Sequence, residues 1–242
     1  MKRHFTGLTD PGLVRSANQD SYYFDPEGRF FIVADGMGGH AGGEQASRIA
    51  AETIRKTLEA RWKSSDKSDE LLKAVIKEAN EAILVDQVEH PERQDMGTTA
   101  VVVIFRQKQV WRAHVGDSRL YRFNSDRLEQ LTEDHTWVGK AMKVGDITAE
   151  QAKVHPWRHV LSQCLGRKDL YQIEIDTIEL EAGDRLLLCS DGLTEEVEDD
   201  QIQSILEASD TPEKAATNLV EAAKENGGSD NVTVVIIGEE AA

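Results

Sequence analysis

Three aspartates stand where an apolar run meets a glycine or a turn. Asp35 lies in FFIVADGMGG, Asp191 in LLLCSDGL and Asp230 in GGSDNVTVVI. Each marks the end of a predicted strand, so we expect the three carboxylates to converge in space although they are far apart in sequence. Like charges in a partly buried cluster raise one another's pKa values, and a divalent cation would relieve that conflict.

The donor atoms at these positions favour a hard cation. Carboxylates and glycine carbonyls suit Mg²⁺ or Mn²⁺ better than Zn²⁺, and the sequence offers no thiolate or imidazole cluster. The cysteines, Cys164 and Cys189, lack metal-like spacing and are predicted to be structural thiols in a reducing compartment. Glu195 and Leu170 stand where a cysteine-dependent phosphatase would need its phosphate-binding arginine, which excludes that chemistry.

The composition narrows the possible locations and binding partners of the protein. A chain of 242 residues is compatible with one domain, and its formal net charge of -16 opposes binding to nucleic acid or to an anionic membrane. The longest strongly apolar run, Ala100 to Phe105, is too short to span a bilayer, and MKRHFTGLTD lacks the apolar segment of a secretory signal. We therefore expect a cytoplasmic monomer with neither a nucleic-acid nor a membrane partner.

Hydrophobic periodicity predicts the elements that position these residues. DSYYFD and RFFIVAD are predicted strands joined by a turn at Pro26 to Gly28, and two helices follow, through Ala46 to Leu58 and Leu72 to Ile83. TTAVVVIF, QVWRAHV and SRLYRF are predicted to form an antiparallel meander.

In the second half of the chain, predicted strands and predicted helices again form separate groups. After a weakly helical excursion from about residue 135 to 156, strands are predicted at 173–180 and 185–190, a helix at 212–224 and a last strand in VTVVIIG. The order favours an α+β fold with antiparallel sheets covered by helices.

A dinucleotide-binding fold is an alternative interpretation, because Gly36, Gly38 and Ala41 match G-x-G-x-x-G/A after a predicted strand. Such a fold needs a second parallel strand about 20 residues later, whereas two helices come first here. The Asp35 carboxylate would also repel the pyrophosphate. The match is therefore superficial.

Seven short motifs occur in a fixed order along nearly the whole chain. They are Arg15-x-x-Asn18-Gln19-Asp20, Asp35-Gly36-Met37-Gly38-Gly39-His40, Met96-Gly97-Thr98-Thr99, His114-Val115-Gly116-Asp117-Ser118-Arg119, Leu131-Thr132-Glu133-Asp134-His135, Ser190-Asp191-Gly192 and Ser229-Asp230-Asn231. Together they resemble the metal-dependent protein phosphatase family, protein phosphatase 2C type, in its compact bacterial form. The resemblance implies a four-layer αββα sandwich of two antiparallel β-sheets flanked by antiparallel helix pairs. It also implies a single catalytic domain over 1–242, with a flap at about 135–159 that contacts the protein substrate.

The resemblance further implies hydrolysis of phosphoserine and phosphothreonine on proteins. The expected nucleophile is a hydroxide that bridges two Mg²⁺ or Mn²⁺ ions. By this resemblance Asp35 bridges both ions, the Gly36 carbonyl binds one, and Asp191 and Asp230 bind the other. Asp117 and Asp191 are expected to share a third, weaker ion.

Three further residues receive roles by resemblance. Asp20 is expected to hold metal-bound waters, Arg15 to clamp the substrate phosphate, and His40 to protonate the departing serine or threonine oxygen. Plainer interpretations stay open: Asp20 as a turn residue, Arg15 as a surface arginine and His40 as a polar loop histidine. Asp117 has the same alternative as a turn residue between strands.

Other motif members are less distinctive. Gln19 stands where many relatives carry glutamate, which puts a direct role for that position in doubt. His114 and His135 are interpreted as hydrogen-bonded structural histidines.

Two other function classes compete with a phosphatase. A noncatalytic module of the same fold could bind phosphoproteins without turnover, although all the expected metal carboxylates are present. A metal nuclease conflicts with the acidic balance of the chain.

Overall fold

The computed structural model describes residues 3–39, 42–124 and 127–239. Its strands form two antiparallel sheets. They are β1 (Arg3–Asp10), β2 (Asp20–Phe24), β3 (Phe30–Met37), β4 (Gly97–Thr98), β5 (Ala100–Arg106), β6 (Gln109–Val115), β7 (Arg119–Asn124), β8 (Arg127–Gln130), β9 (Glu174–Ile178), β10 (Arg185–Cys189) and β11 (Val232–Glu239). One sheet has the order β1-β11-β10-β7-β8, and the other has the order β2-β3-β5-β6-β9 with β4 paired to β3.

The helices lie outside the two sheets. They are α1 (Gly42–Arg61), α2 (Ser68–Glu89), α3 (Trp137–Val144), α4 (Ala149–Lys153), α5 (Asp191–Thr194), α6 (Asp199–Ala208) and α7 (Pro212–Glu225). The first two pack together and cover the β2-to-β9 sheet, while α6 and α7 cover the other. The predicted α+β sandwich with four layers is confirmed.

Strand β3 shows how the sequence builds these layers. Phe30 and Ile32 join the core beneath α1 and α2, whereas Phe31 and Val33 join the core between the sheets. All four side chains are fully buried. Burying each such side chain contributes about 1.5–3 kcal/mol to stability, which explains an unbroken apolar run in a strand covered on both faces.

The predicted meander is wrong at one connection. Strands β5 and β6 pair as expected, but β7 pairs with β8 and β10 in the opposite sheet. The turn between β6 and β7 carries the chain across the sandwich at Gly116, whose φ is +112°. A short connection between strands predicts a hairpin, but a glycine-dependent turn lets an equally short connection change sheets.

Two elements had weak sequence signals. Strand β1, at the edge of its sheet, pairs only with β11 and is mostly half-buried. Helix α6 begins with two acidic residues, which conceal its apolar face in the sequence, yet Ile202 and Leu206 are fully buried. Among the described residues, no helix combines the length and apolarity needed to cross a bilayer.

The predicted excursion lies between β8 and β9. Helix α3 begins after Thr136, whose hydroxyl accepts the Gly139 N–H, and ends at Gly145 with φ +83°. A second short helix, α4, follows with a Thr148 capping box. We call residues 135–159 the flap.

Candidate active site

Five predicted site residues lie where ends of strands from both sheets meet. Asp35 is on β3 and Asp20 begins β2, both in one sheet. From the other sheet, Asp191 follows β10 and Asp230 precedes β11. Asp117 lies in the turn that crosses between the sheets. The structure therefore brings together carboxylates that are up to 210 residues apart (230 − 20 = 210).

These aspartates lie close enough together to raise one another's pKa values. Burial, then Asp20, Asp191 and Asp117, raise the pKa of Asp35 well above its usual range. Burial and then Asp191 raise the pKa of Asp117. For Asp191, burial and then Asp230 raise the pKa. The cluster therefore resists full ionisation unless a cation compensates it.

Asp20 gives the clearest sign of an additional ligand. Burial raises its pKa to about 7, while the Ser190 hydroxyl donates a 2.7 Å hydrogen bond to its Oδ2 atom. Its Oδ1 atom is buried and has no hydrogen-bond partner among the described residues. Buried carboxylate oxygens rarely remain unpaired, so a cation or a water held by one fits this position.

Glycines allow the backbone segments of the site to come close together. A Cβ atom at Gly36 would collide with the Gly43 carbonyl and lie 2.6 Å from the Gln19 carbonyl oxygen. At Gly192 it would collide with the Asn231 carbonyl. The hard oxygens of this packed cluster fit Mg²⁺ or Mn²⁺. The use of the Gly36 carbonyl as a ligand stays a prediction.

Arg15, the predicted phosphate clamp, lies beside the carboxylates. Its guanidinium donates a 2.7 Å hydrogen bond to Asp230 Oδ2, and its side chain is 52 % exposed. Asn231 holds the loop that carries Arg15, since its amide donates to the Pro11 and Ala17 carbonyls and its Oδ1 accepts the Gln19 N–H. This role of Asn231 is not predicted from the sequence, although its position beside Asp230 is a usable signal.

Threonine side chains connect Asp35 to the turn that carries Asp117. The Asp35 N–H donates to Thr99 Oγ1 at 2.9 Å, and the Thr98 hydroxyl donates to the Asp35 carbonyl at 2.8 Å. The Thr99 and Ser118 hydroxyls are 2.6 Å apart. These residues of the Met96-to-Thr99 motif therefore set the distance between two predicted ligands.

A flap residue extends the acidic cluster. His159 Nδ1 contacts Glu195 Oε1, and the possible ligand atoms of these two residues and of Asp191 all lie within 4.8 Å of one another. Burial, then Asp191 and Asp230, raise the pKa of Glu195 to about 8. No sequence pattern predicts this contact, because nothing in the sequence pairs the flap with α5. The predicted proton donor, His40, lies outside the described residues.

Neither cysteine is suited to nucleophilic chemistry. Cys164 and Cys189 are buried, and burial raises their thiol pKa values to about 11 and about 12. Their structural interpretation agrees with this environment.

Comparison with known proteins gives one consistent family. The family model described as protein phosphatase 2C matches residues 14–225. A serine/threonine phosphatase stp from Listeria innocua is 35% identical over 243 residues, covering 97% of this chain and 95% of that protein.

Solved structures extend the match to three dimensions. The crystal structure of the Mycobacterium tuberculosis serine/threonine phosphatase PstP/Ppp aligns with a TM-score of 0.89 at 35% identity, covering 98% of this chain and 99% of that one. The catalytic domain of PstP in complex with two manganese ions aligns with a TM-score of 0.86 at 34% identity, covering 98% and 97%. Together with the strand-end carboxylates, these matches show that the chain belongs to the protein phosphatase 2C family.

Proposed function

We propose that this protein hydrolyses phosphoserine and phosphothreonine monoesters on protein substrates with the help of two divalent ions, Mg²⁺ or Mn²⁺. The buried carboxylate cluster, with its unpaired Asp20 oxygen, is the observation that carries the proposal. Support also comes from relatives named serine/threonine phosphatases and from the neighbour that holds two manganese ions.

The ion ligands are proposed from the family resemblance, and the buried carboxylate cluster supports them. Asp35 would bind both ions, the Gly36 carbonyl would bind one, and Asp191 and Asp230 would bind the other. Asp117, beside Asp191, is the proposed ligand of a third and weaker ion. When bound, such ions polarise the phosphate and lower the pKa of an attacking water.

Asp20 is the proposed anchor of water around these ions. Its Oδ2 atom accepts from Ser190, and its buried Oδ1 atom remains available. Asp35, the proposed shared ligand of the ions, is the Cα partner of Asp20 on β3.

Arg15 is the proposed phosphate clamp. Its guanidinium already contacts an anion, the Asp230 carboxylate, and half of its side chain is exposed. A planar guanidinium can donate two hydrogen bonds to phosphate oxygens, so a substrate could become its partner once Asp230 binds an ion. His40 is the proposed proton donor to the leaving oxygen.

The proposed partners are phosphorylated proteins. We also propose that residues 1–242 form one catalytic domain, and that the protein is a cytoplasmic monomer without nucleic-acid or membrane partners. The net charge of -16 supports the last point, because it opposes attraction to phosphate backbones and anionic lipids. The flap is the proposed contact for protein segments around the phosphorylated residue, since His159 brings it to the cluster.

Phosphate release from a phosphothreonine peptide tests the function. We expect release that requires Mn²⁺ or Mg²⁺, stops with chelator and is lost in Asp191→Asn. Asp210→Asn is the matched control, because Asp210 is 88% exposed. Peptide binding without turnover at saturating metal would support the noncatalytic module instead, and metal-dependent cleavage of DNA would support a nuclease.

A further inference from the structure

A second cluster of titratable side chains lies at the base of the flap. His114 comes from β6, His135 precedes α3, and Glu174 begins β9. His135 Nε2 is 3.3 Å from Glu174 Oε1, and His114 Nδ1 is 3.7 Å from Glu174 Oε2. Both histidines are buried, and their ring centroids are 4.7 Å apart.

Two histidines and a glutamate could suggest a zinc site, but one hydrogen bond opposes it. The Gly116 N–H donates to His135 Nδ1 at 3.2 Å. In a neutral ring this places the proton on Nε2, which then donates to Glu174. A metal-binding histidine instead donates from the nitrogen that does not bind the metal. The arrangement therefore fixes the tautomer and orientation of His135 and leaves Nε2 unable to bind a cation.

His135 also joins three segments through its main chain. Its N–H donates to the Gly116 carbonyl at 2.8 Å, and its carbonyl accepts the Ser162 N–H at 2.8 Å. Thr136 and Leu161 form the adjacent antiparallel bridge. His135 thus connects both ends of the flap to the turn that carries Asp117.

The other side of that turn is held by the active site itself. Ser118 contacts Thr99, whose hydroxyl accepts the Asp35 N–H. A Cβ atom at Gly116 would lie 2.6 Å from Thr99 Cγ2, so the turn has little room to move toward Asp35. On its other side the turn is held by two bonds to His135, one from the Gly116 N–H to Nδ1 and one from the His135 N–H to the Gly116 carbonyl.

We propose that His135 is a positioning residue for Asp117: its Nδ1 atom holds the Gly116 N–H, and Glu174 holds its ring in the orientation that makes this bond. The inference rests on the proposed function, in which Asp117 binds the weaker ion. Losing the bond would loosen the turn and lower the affinity for that ion, while the core ions, whose proposed ligands lie elsewhere, would bind normally.

Two variants of His135 separate this role from simple packing. In His135→Asn the Oδ1 atom lies near the place of Nδ1 and can accept from Gly116, whereas in His135→Gln the polar group extends toward Glu174. Calorimetric titration with Mn²⁺ measures the affinity of the weaker ion site. We expect His135→Asn to keep this affinity within about threefold of the wild type and His135→Gln to lower it about tenfold, which is the effect of one lost hydrogen bond. The Gly116 amide resonance should shift only in the Gln variant.

A second pair tests the support from Glu174. Glu174→Gln keeps an oxygen that accepts from His135 Nε2 and should retain weak-site affinity, whereas Glu174→Ala should lose it. Equal effects within both pairs, or a Gly116 amide that is unchanged in His135→Gln, would overturn the inference.

The Asp117→Ala variant separates this inference from the proposed function. If its Mn²⁺ titration equals that of the wild type, Asp117 binds no ion and the positioning role is overturned. The core function would survive that result if metal-dependent phosphate release persists. Loss of both core ions and of turnover in the wild type would instead overturn the proposed function.

Discussion

Asp20 and Asp35 lie directly opposite each other as Cα partners on the antiparallel strands β2 and β3. Two carboxylates at a facing position repel each other, and each lies in a site where burial raises its pKa. A sheet built for stability alone would avoid this pair. Its presence therefore indicates a site that is completed by a cation.

The metal-free protein should lose stability as pH rises from about 4 to about 7. Asp20 has a pKa of about 7 in the folded state against 3.8 as its ordinary value, so the folded state binds more protons in this window and the free energy of unfolding falls. In chelator, Asp20→Asn should therefore be stabilised relative to wild type at pH 8 by up to about 4 kcal/mol, with little difference at pH 4. Urea unfolding at both pH values measures this.

The control for this experiment is Asp210→Asn, since Asp210 is 88% exposed. It should show the same pH dependence as the wild type. An Asp20→Asn variant that is destabilised by the same amount at both pH values would contradict a raised pKa at Asp20.

Asp35 should matter more to activity than Asp117. Asp35 interacts with Asp20, Asp191 and Asp117, and it is the proposed bridge, whereas Asp117 interacts mainly with Asp191. At saturating Mn²⁺ we expect Asp35→Ala to lose essentially all phosphate release and Asp117→Ala to retain a measurable fraction. Equal losses at saturating metal would contradict this ranking.

Arg15→Ala should raise KM with a smaller fall in kcat. The guanidinium lies at the exposed edge of the carboxylate cluster, where it would contribute mainly to ground-state binding of phosphate. Arg15→Lys should recover only part of the affinity, because an ammonium lacks the planar fork. Initial rates on a phosphopeptide give both constants.

The matched control for this prediction is Arg127→Ala, an exposed arginine on β8. Its constants should equal those of the wild type. An unchanged KM in Arg15→Ala would remove Arg15 from the phosphate site.

Gly192→Ala should lower stability and weaken Mn²⁺ binding together. Its methyl group would collide with the Asn231 carbonyl and so separate Asp191 from Asp230. Overpacking of this kind costs about 1–3 kcal/mol. Thermal unfolding with and without Mn²⁺ measures both effects.

Gly238→Ala is the comparison variant, because a Cβ atom there meets the nearest atom at 3.8 Å. It should leave the metal-induced rise in Tm unchanged. A normal metal response in Gly192→Ala would show that the backbone contact does not set the distance between the two carboxylates.

The sequence alone determined the α+β class, most strands and helices, and the strand-end positions of Asp35, Asp191 and Asp230. These features follow from hydrophobic periodicity and turn residues, which act over a few neighbouring positions. For the same reason the sequence underestimated β1, which is stabilised by pairing with β11, and α6, whose acidic start concealed one buried face.

Only the tertiary structure decided how the segments meet. Three features have no signal in any local sequence pattern. They are the crossing of the chain between the sheets at Gly116, the pairing of Asp20 with Asp35, and the contact of His159 with Glu195. The same applies to the bond between Gly116 and His135. Local periodicity determines which face of an element is buried, but long-range packing determines which elements face each other. The site depends on long-range packing, because its residues come from elements that are distant in sequence.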